Sequence, residues 1–160
     1  MSWEKSIKVF KSYLQLERSL SINSVQAYIR DIKKFASYAS SLKLNEFKIK
    51  RKNIIDFLKT LKDENISARS QARIISGIKA FYKYLIMEDY IKANPTELIE
   101  SPKIGLKLPD TLSLIEIDTL ISAVDLTSSQ GERNRAIIET LYSCGLRVSE
   151  LINLQLSNIN

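Results

Sequence analysis

The chain has 160 residues, with 24 Lys+Arg against 18 Asp+Glu and a formal net charge of +6. Apolar residues make up 44%, enough for a core and too many for a disordered chain, while four Gly and three Pro are too few for a turn-dense β-sandwich. With no histidine and only Cys144, these residues hold no histidine base, His-ligated metal, multi-cysteine zinc site or internal disulfide, and the chain reads as cytoplasmic.

Helical periodicity dominates. Trp3, Ile7, Phe10 and Leu14 form the stripe of a first helix over about residues 3–17. A second follows SINS, with Val25, Ile29, Ile32, Ala36 and Ala39 facing the core and Ser21 or Asn23 as its cap. A third carries Ile54, Ile55, Leu58 and Leu61 and ends near Asp63. The fourth starts at Ser67 and carries Ile74, Ile78, Phe81 and Leu85, with Gly77 permitting close packing. A short helical turn is expected at Thr96–Glu100.

All three prolines, Pro95, Pro102 and Pro109, fall in one stretch with Gly105, where regular structure should stop. The expected division is residues 1–93, a linker at 94–110, and residues 111–160. Beyond it, Ser113 to Glu116 spell a capping box before a helix at about Leu114–Val124. Another helix opens near Glu132 and stops at Gly145, and a short one runs from Ser149 through Leu154. No strand and no 18-residue apolar run is evident, and the charged MSWEKSIKVF start is unlike a signal peptide. The expected class is all-α, a four-helix bundle or two packed hairpins followed by further helices.

The charge is uneven. Residues 1–105 hold 20 Lys+Arg and 11 Asp+Glu, and residues 106–160 hold 4 and 7. A basic first part suits a polyanion, because each neutralised phosphate releases counterions; a Lys-rich solvated surface fits equally.

Three groups of residues stand out. On the second helix Arg30, Lys33 and Lys34 share a face beside Tyr28, a pattern suited to phosphate contact or simply to solvent. On the fourth, SARSQAR places Ser67, Arg69, Ser70 and Arg73 in the first two turns, at the positive end of the helix dipole. Arg69 and Arg73 are i,i+4 neighbours that repel unless an anion lies nearby; solvated guanidiniums tolerate this at small cost, but residues 65–87 contain no acid, which favours phosphate or base contact in a nucleic acid. Near the far end, Arg147 follows Gly145 in a tight connection, placed either to offer its donors to a phosphate or as a capping or surface arginine. Glu150 is positioned to pair with it or with a backbone donor.

TLYSCGLRVSELINLQLSNI closely resembles the first catalytic-arginine motif of tyrosine recombinases of the phage-integrase type, nearest the bacterial Xer group. SINSVQAYIRDIKKF, SARSQARIISGIKAFYKYL and NPTELIESPKIGLKLPDTLSLIEIDTLI extend the resemblance over the whole chain. It implies a helical, SAM-like core-binding domain of four to five helices, a linker, and the first helices of a mixed α/β catalytic domain. Such enzymes clamp double-stranded DNA and exchange strands through a 3′-phosphotyrosyl intermediate, within a tetrameric synapse of homologous or paired recombinases. They use no metal, cofactor or small-molecule substrate, and Xer-like members resolve chromosome or plasmid dimers.

By this resemblance Arg147 matches the first catalytic arginine, holding the non-bridging oxygens of the scissile phosphate, and Glu150 is structural. Tyr28, Arg30, Ser67, Arg69, Ser70 and Arg73 match DNA-contacting regions. The family's lysine, His-x-x-Arg element, later His/Trp position and nucleophilic tyrosine have no counterpart in these residues. The expectation is therefore an N-terminal fragment that binds DNA without cleaving it; a non-catalytic DNA-binding regulator or decayed recombinase is the alternative. The apolar face of Leu151, Ile152, Leu154, Leu156 and Ile159 is expected to want further catalytic-domain strands, leaving residues 106–160 loosely packed or self-associating.

Overall fold

The computed structural model describes residues 2–105, 108 and 110–158. The described residues form seven α-helices: α1 (Trp3–Leu16), α2 (Ile22–Ser41), α3 (Arg51–Asp63), α4 (Ala68–Met87), α5 (Leu114–Ser122), α6 (Gly131–Cys144) and α7 (Val148–Ile152). A 3-10 turn at Leu156–Asn158 follows, and no strand occurs among the described residues, in agreement with the expected all-α class. The chain divides into two compact units, Met1–Leu106 and Lys107–Asn160.

In the first unit α2 is central, because it packs against α1, α3 and α4 at once. Phe10, Phe35, Phe57, Phe81 and Tyr82 are all fully buried in one core with Ile32, Leu61, Ile78 and Leu85. Trp3 closes one end: its ring stacks on Phe81 at 5.9 Å and meets Phe35 edge-on at 5.8 Å. Its Nε1 donates to the Leu44 carbonyl at 3.0 Å, so the half-buried indole keeps its hydrogen bond. The loop after α2 is fastened by Glu46, whose Oε1 accepts from Ser6 Oγ at 2.6 Å and whose carbonyl accepts from Tyr82 Oη at 3.1 Å. Burial, reinforced by the Glu46 charge, pushes the Tyr82 phenol far above its ordinary range.

The helix ends follow from local chemistry. Ser21 caps α2 and Ser67 caps α4, each accepting a backbone N–H three residues on at 3.3 Å. All four helices of this unit stop at a left-handed residue other than glycine: Ser19, Lys43, Asn65 and Asp89. After each, an apolar residue folds back on the helix. Leu44, Ile66 and Tyr90 donate their N–H groups to the carbonyls of Ala39, Leu61 and Leu85 at 2.9–3.0 Å.

The second unit is thinly packed. Ile117 is buried there, while Leu114, Ile115, Val148 and Ile152 are largely exposed. Ser113 and Glu116 form the capping box read from the sequence: Glu116 N–H donates to Ser113 Oγ, and Ser113 N–H donates back to Glu116 Oε2 at 2.8 Å. Gly145 ends α6 with φ 61°, a conformation a Cβ disfavours.

Several expectations differ in detail. The anticipated helical turn at Thr96–Glu100 is a hydrogen-bonded turn over residues 95–98, too short to count as a helix; Thr96 and Ile99 are nonetheless buried. Helix α5 stops at Ser122 rather than Val124. The last helix begins one residue early and ends at Ile152, two residues before Leu154. Phe35 and Phe57 are central although the apolar stripes omitted them. On the proposed apolar face, Ile152 and Leu154 are exposed and Leu151 is half-buried; the Leu156 side chain and Ile159 lie outside the described residues, as does Pro109.

Candidate nucleic-acid interface

The site begins with a missing side chain. Where α4 crosses α2 it presents Gly77, and a Cβ there would sit 3.2 Å from the Asp31 Cβ. The close approach sets the first turns of α4 beside the middle of α2. Arg30, Lys34, Ser67, Ser70 and Arg73 then line one shallow cleft, together with the Asn65 turn.

Arg73 does not wait for an outside anion. Its Nη1 donates to Asp31 Oδ2 at 2.5 Å, across the α2–α4 contact. The acid absent from residues 65–87 is thus supplied to Arg73 by the neighbouring helix. The Asp31 side chain is 4% exposed and that of Arg73 is 44% exposed. Burial raises the Asp31 carboxyl above its usual value, against the pull of Arg73 and then Arg30.

Other residues are placed differently. Lys34 spans to the end of α3, with Nζ 2.8 Å from Glu64 Oε2. Lys33 faces away from the cleft and lines a groove between α1 and α2 with Lys8, Lys11 and Arg30, so Arg30 joins the two concavities. Tyr28 is half-buried against the core and lies outside the cleft, beside Tyr13, Arg18 and Lys83. Arg69 is exposed on the first turn of α4, outside the cleft lining, and has no ion pair among the described residues. Ser67 and Ser70 are tied to one another, Ser67 Oγ donating to Ser70 Oγ at 3.1 Å.

Sequence reasoning missed Asp31, Lys8, Lys11 and Glu64. Lys8 and Lys11 were legible as cations three apart on α1, but which helix faced them was not. Asp31 had one signal: an acid directly after Arg30 within a run of basic residues.

In the second unit Arg147 is the residue before α7, and its side chain is 81% exposed. Its backbone N–H donates to Glu150 Oε2 and its Nη1 to Glu150 Oε1, both at 2.8 Å. The backbone bond first, then the guanidinium, holds the Glu150 carboxyl below the usual range. The guanidinium keeps its other donors turned to solvent, a fork suited to the oxygens of a phosphodiester. Among the described residues no cluster of three metal-ligating side chains occurs, and no helix is long and apolar enough to cross a membrane.

Comparison with known proteins places these features. Residues 7–89 match the phage integrase N-terminal SAM-like domain, and residues 111–160 match the phage integrase family. The tyrosine recombinases XerD of Staphylococcus haemolyticus (strain JCSC1435) and Staphylococcus aureus (strain N315) are each 40% identical to the chain over 158 residues, 98% of it and 54% of each relative. The chain thus spans about half the length of the curated relatives it matches. Among solved structures, an integrase from mycobacterium phage Brujita has the same fold, with a TM-score of 0.57 and 21% identity, over 91% of this chain and 47% of that one.

Proposed function

We propose, for a chain that belongs to the phage integrase family, that it forms the first part of a Xer-like, site-specific tyrosine recombinase. Its first unit grips double-stranded DNA through the α2–α4 face. The observation that carries this is the convergence of Arg30, Lys34, Ser67, Ser70 and Arg73 on one concave surface. The basic side chains meet phosphates, the serine hydroxyls add hydrogen bonds to the backbone, and the Arg73 fork suits a guanine edge. Lys33 and Arg69 extend the basic surface to either side, and Tyr28 packs beside Gly77 at the α2–α4 crossing.

Residues 1–93 are the DNA-gripping domain in this reading, 94–110 the linker and 111–160 the opening of the catalytic domain. Arg147 holds the non-bridging oxygens of the scissile phosphate and offsets the charge that builds up as the phosphorus becomes pentacoordinate. Glu150 keeps it aimed. In the complete recombinase a tyrosine attacks that phosphate, and strand exchange proceeds among four homologous or paired protomers on DNA in the cytoplasm. The remaining groups that the resemblance implies at the phosphate have no counterpart here, so the 160 residues alone bind DNA without cleaving it.

The test is the affinity of the chain for a mixed-sequence duplex, by fluorescence anisotropy, across a salt series. Four to five phosphate contacts predict a log–log slope of about −4. A slope near zero, or no binding in dilute buffer, contradicts the proposal. In the complete recombinase Arg147→Ala should abolish cleavage while leaving duplex binding intact.

A further inference from the structure

We propose that Asp31 is a positioning residue for DNA recognition: it fixes the Arg73 fork in one orientation and lowers the affinity of the cleft for phosphate in general. This deepens, and rests on, the DNA-binding face proposed above. Asp31 is the unexpected member of that face, an acid placed among cations and nearly without solvent contact. A buried charge is costly unless paired and hydrogen-bonded, and Asp31 has such a partner in Arg73. Its surroundings leave it little freedom. Gly77 brings the α4 backbone against the Asp31 side chain, so a Cβ at position 77 would lie 3.2 Å from the Asp31 Cβ and 3.6 Å from its Oδ2. Arg73 lies one helical turn before Gly77 on α4, where Asp31 Oδ2 engages Nη1.

One guanidinium nitrogen is thereby held from the protein side, while nearly half of the side chain stays exposed to the cleft. A long flexible arm becomes a directed fork. Orientation is what base recognition requires, because a bidentate pair with a guanine edge fails when the fork can rotate, whereas phosphate attraction tolerates rotation. The negative charge also weighs against non-specific attraction, since it cancels part of the field of Arg30 and Arg73.

The two effects have opposite signs on removal of Asp31, and this separates positioning from a merely structural role. The experiment uses the full chain and a pool of duplexes with a randomised centre, sequenced before and after selection by Asp31→Ala, Asp31→Asn, Arg73→Ala and the unaltered protein. Affinity for the unselected pool is read by anisotropy, and thermal melting checks each fold. Asp31→Ala should bind the unselected pool more tightly, by about threefold, yet lose about tenfold in discrimination at the base pairs that Arg73→Ala also ceases to read. Asp31→Asn, which keeps one acceptor without the charge, should fall between and serves as the readout if Asp31→Ala melts early. If Arg73→Ala loses discrimination and a folded Asp31 variant keeps it, the positioning role is overturned while the DNA face stands. If both Asp31 variants lose pool affinity and discrimination together with their melting transition, the role is structural and the inference fails. If neither the unaltered protein nor Arg73→Ala discriminates among duplexes, both the inference and base reading by this face fail.

Discussion

The carboxylate of Glu150 accepts two hydrogen bonds from Arg147, the backbone N–H on Oε2 and Nη1 on Oε1, each at 2.8 Å. One side chain thus starts helix α7 and restrains the arginine at its head. Glu150→Ala should remove both functions together. The Arg147 amide should exchange with solvent at least about tenfold faster, as expected when a helix loses the side chain that caps its first turn, with the change confined to the start of α7. Exchange at Arg147 unchanged by the substitution would show that the turn stands without Glu150.

Asp31 of the first unit and three carboxylates of the second respond to acid in opposite directions. Glu116, Asp125 and Glu150 are held below their usual range by hydrogen bonds to Ser113, Thr127 and Arg147. Their stabilising contribution is present above their unfolded values and lost as pH falls through the lowered folded ones. Asp31 is raised by burial, so its contribution is present below its unfolded value and lost as pH rises through the raised folded one. As pH falls through the raised Asp31 value toward the ordinary carboxylate range the first unit should therefore gain stability from Asp31, before acid frays the starts of α5 and α7. Trp3, the one tryptophan of the chain, lies in the first unit and reports it alone. Its urea midpoint should rise over that interval, and Asp31→Asn should flatten the rise. A midpoint that rises equally in the variant would assign the effect to another group.

Gly77 is the contact on which the α2–α4 geometry depends. Gly77→Val puts a branched side chain where a single Cβ would already meet Asp31 at 3.2 Å and Tyr28 at 3.8 Å. Overpacking of this kind costs about 1–3 kcal/mol, more than the gain in helix propensity returns. A lower melting temperature checks it; an unchanged one would mean that the helices separate freely at this point.

Lys43 ends α2 at φ 56°, a region that costs a residue with a Cβ about 1 kcal/mol and a glycine almost nothing. Lys43→Gly should stabilise the first unit by about 0.5 kcal/mol, after the greater entropy of glycine in the unfolded chain is set against the relief. Chemical denaturation followed at Trp3 measures it, and a loss of stability would show that the lysine stem contributes packing there.

Much of this fold is legible in the order of residues, because one apolar stripe per helix and the serine caps of α2, α4 and α5 leave few alternatives. The failures have a common cause. Helix α2 is enclosed by α1, α3 and α4, so its buried arc is wider than the stripe Val25, Ile29, Ile32, Ala36 and Ala39 and takes in Phe35 and Asp31. A charged residue in a run of basic ones reads as solvated, and only the approach of Gly77 and Arg73 from a helix more than 40 positions away removes it from water. The same long-range pairing explains why Arg73 is legible as a cation in need of an anion, while its partner on α2 is not. Arg147 and Glu150 are close in sequence, and their pairing was visible from spacing alone.

The most direct measurement is a ¹⁵N-resolved NMR titration of the chain with a mixed-sequence duplex. The account predicts that the largest shifts fall on Arg30, Lys33 and Lys34 of α2 and on residues 67–73 at the start of α4, and that they disappear at high salt. Shifts confined to α3 or the second unit, or none at all at low salt, would contradict it.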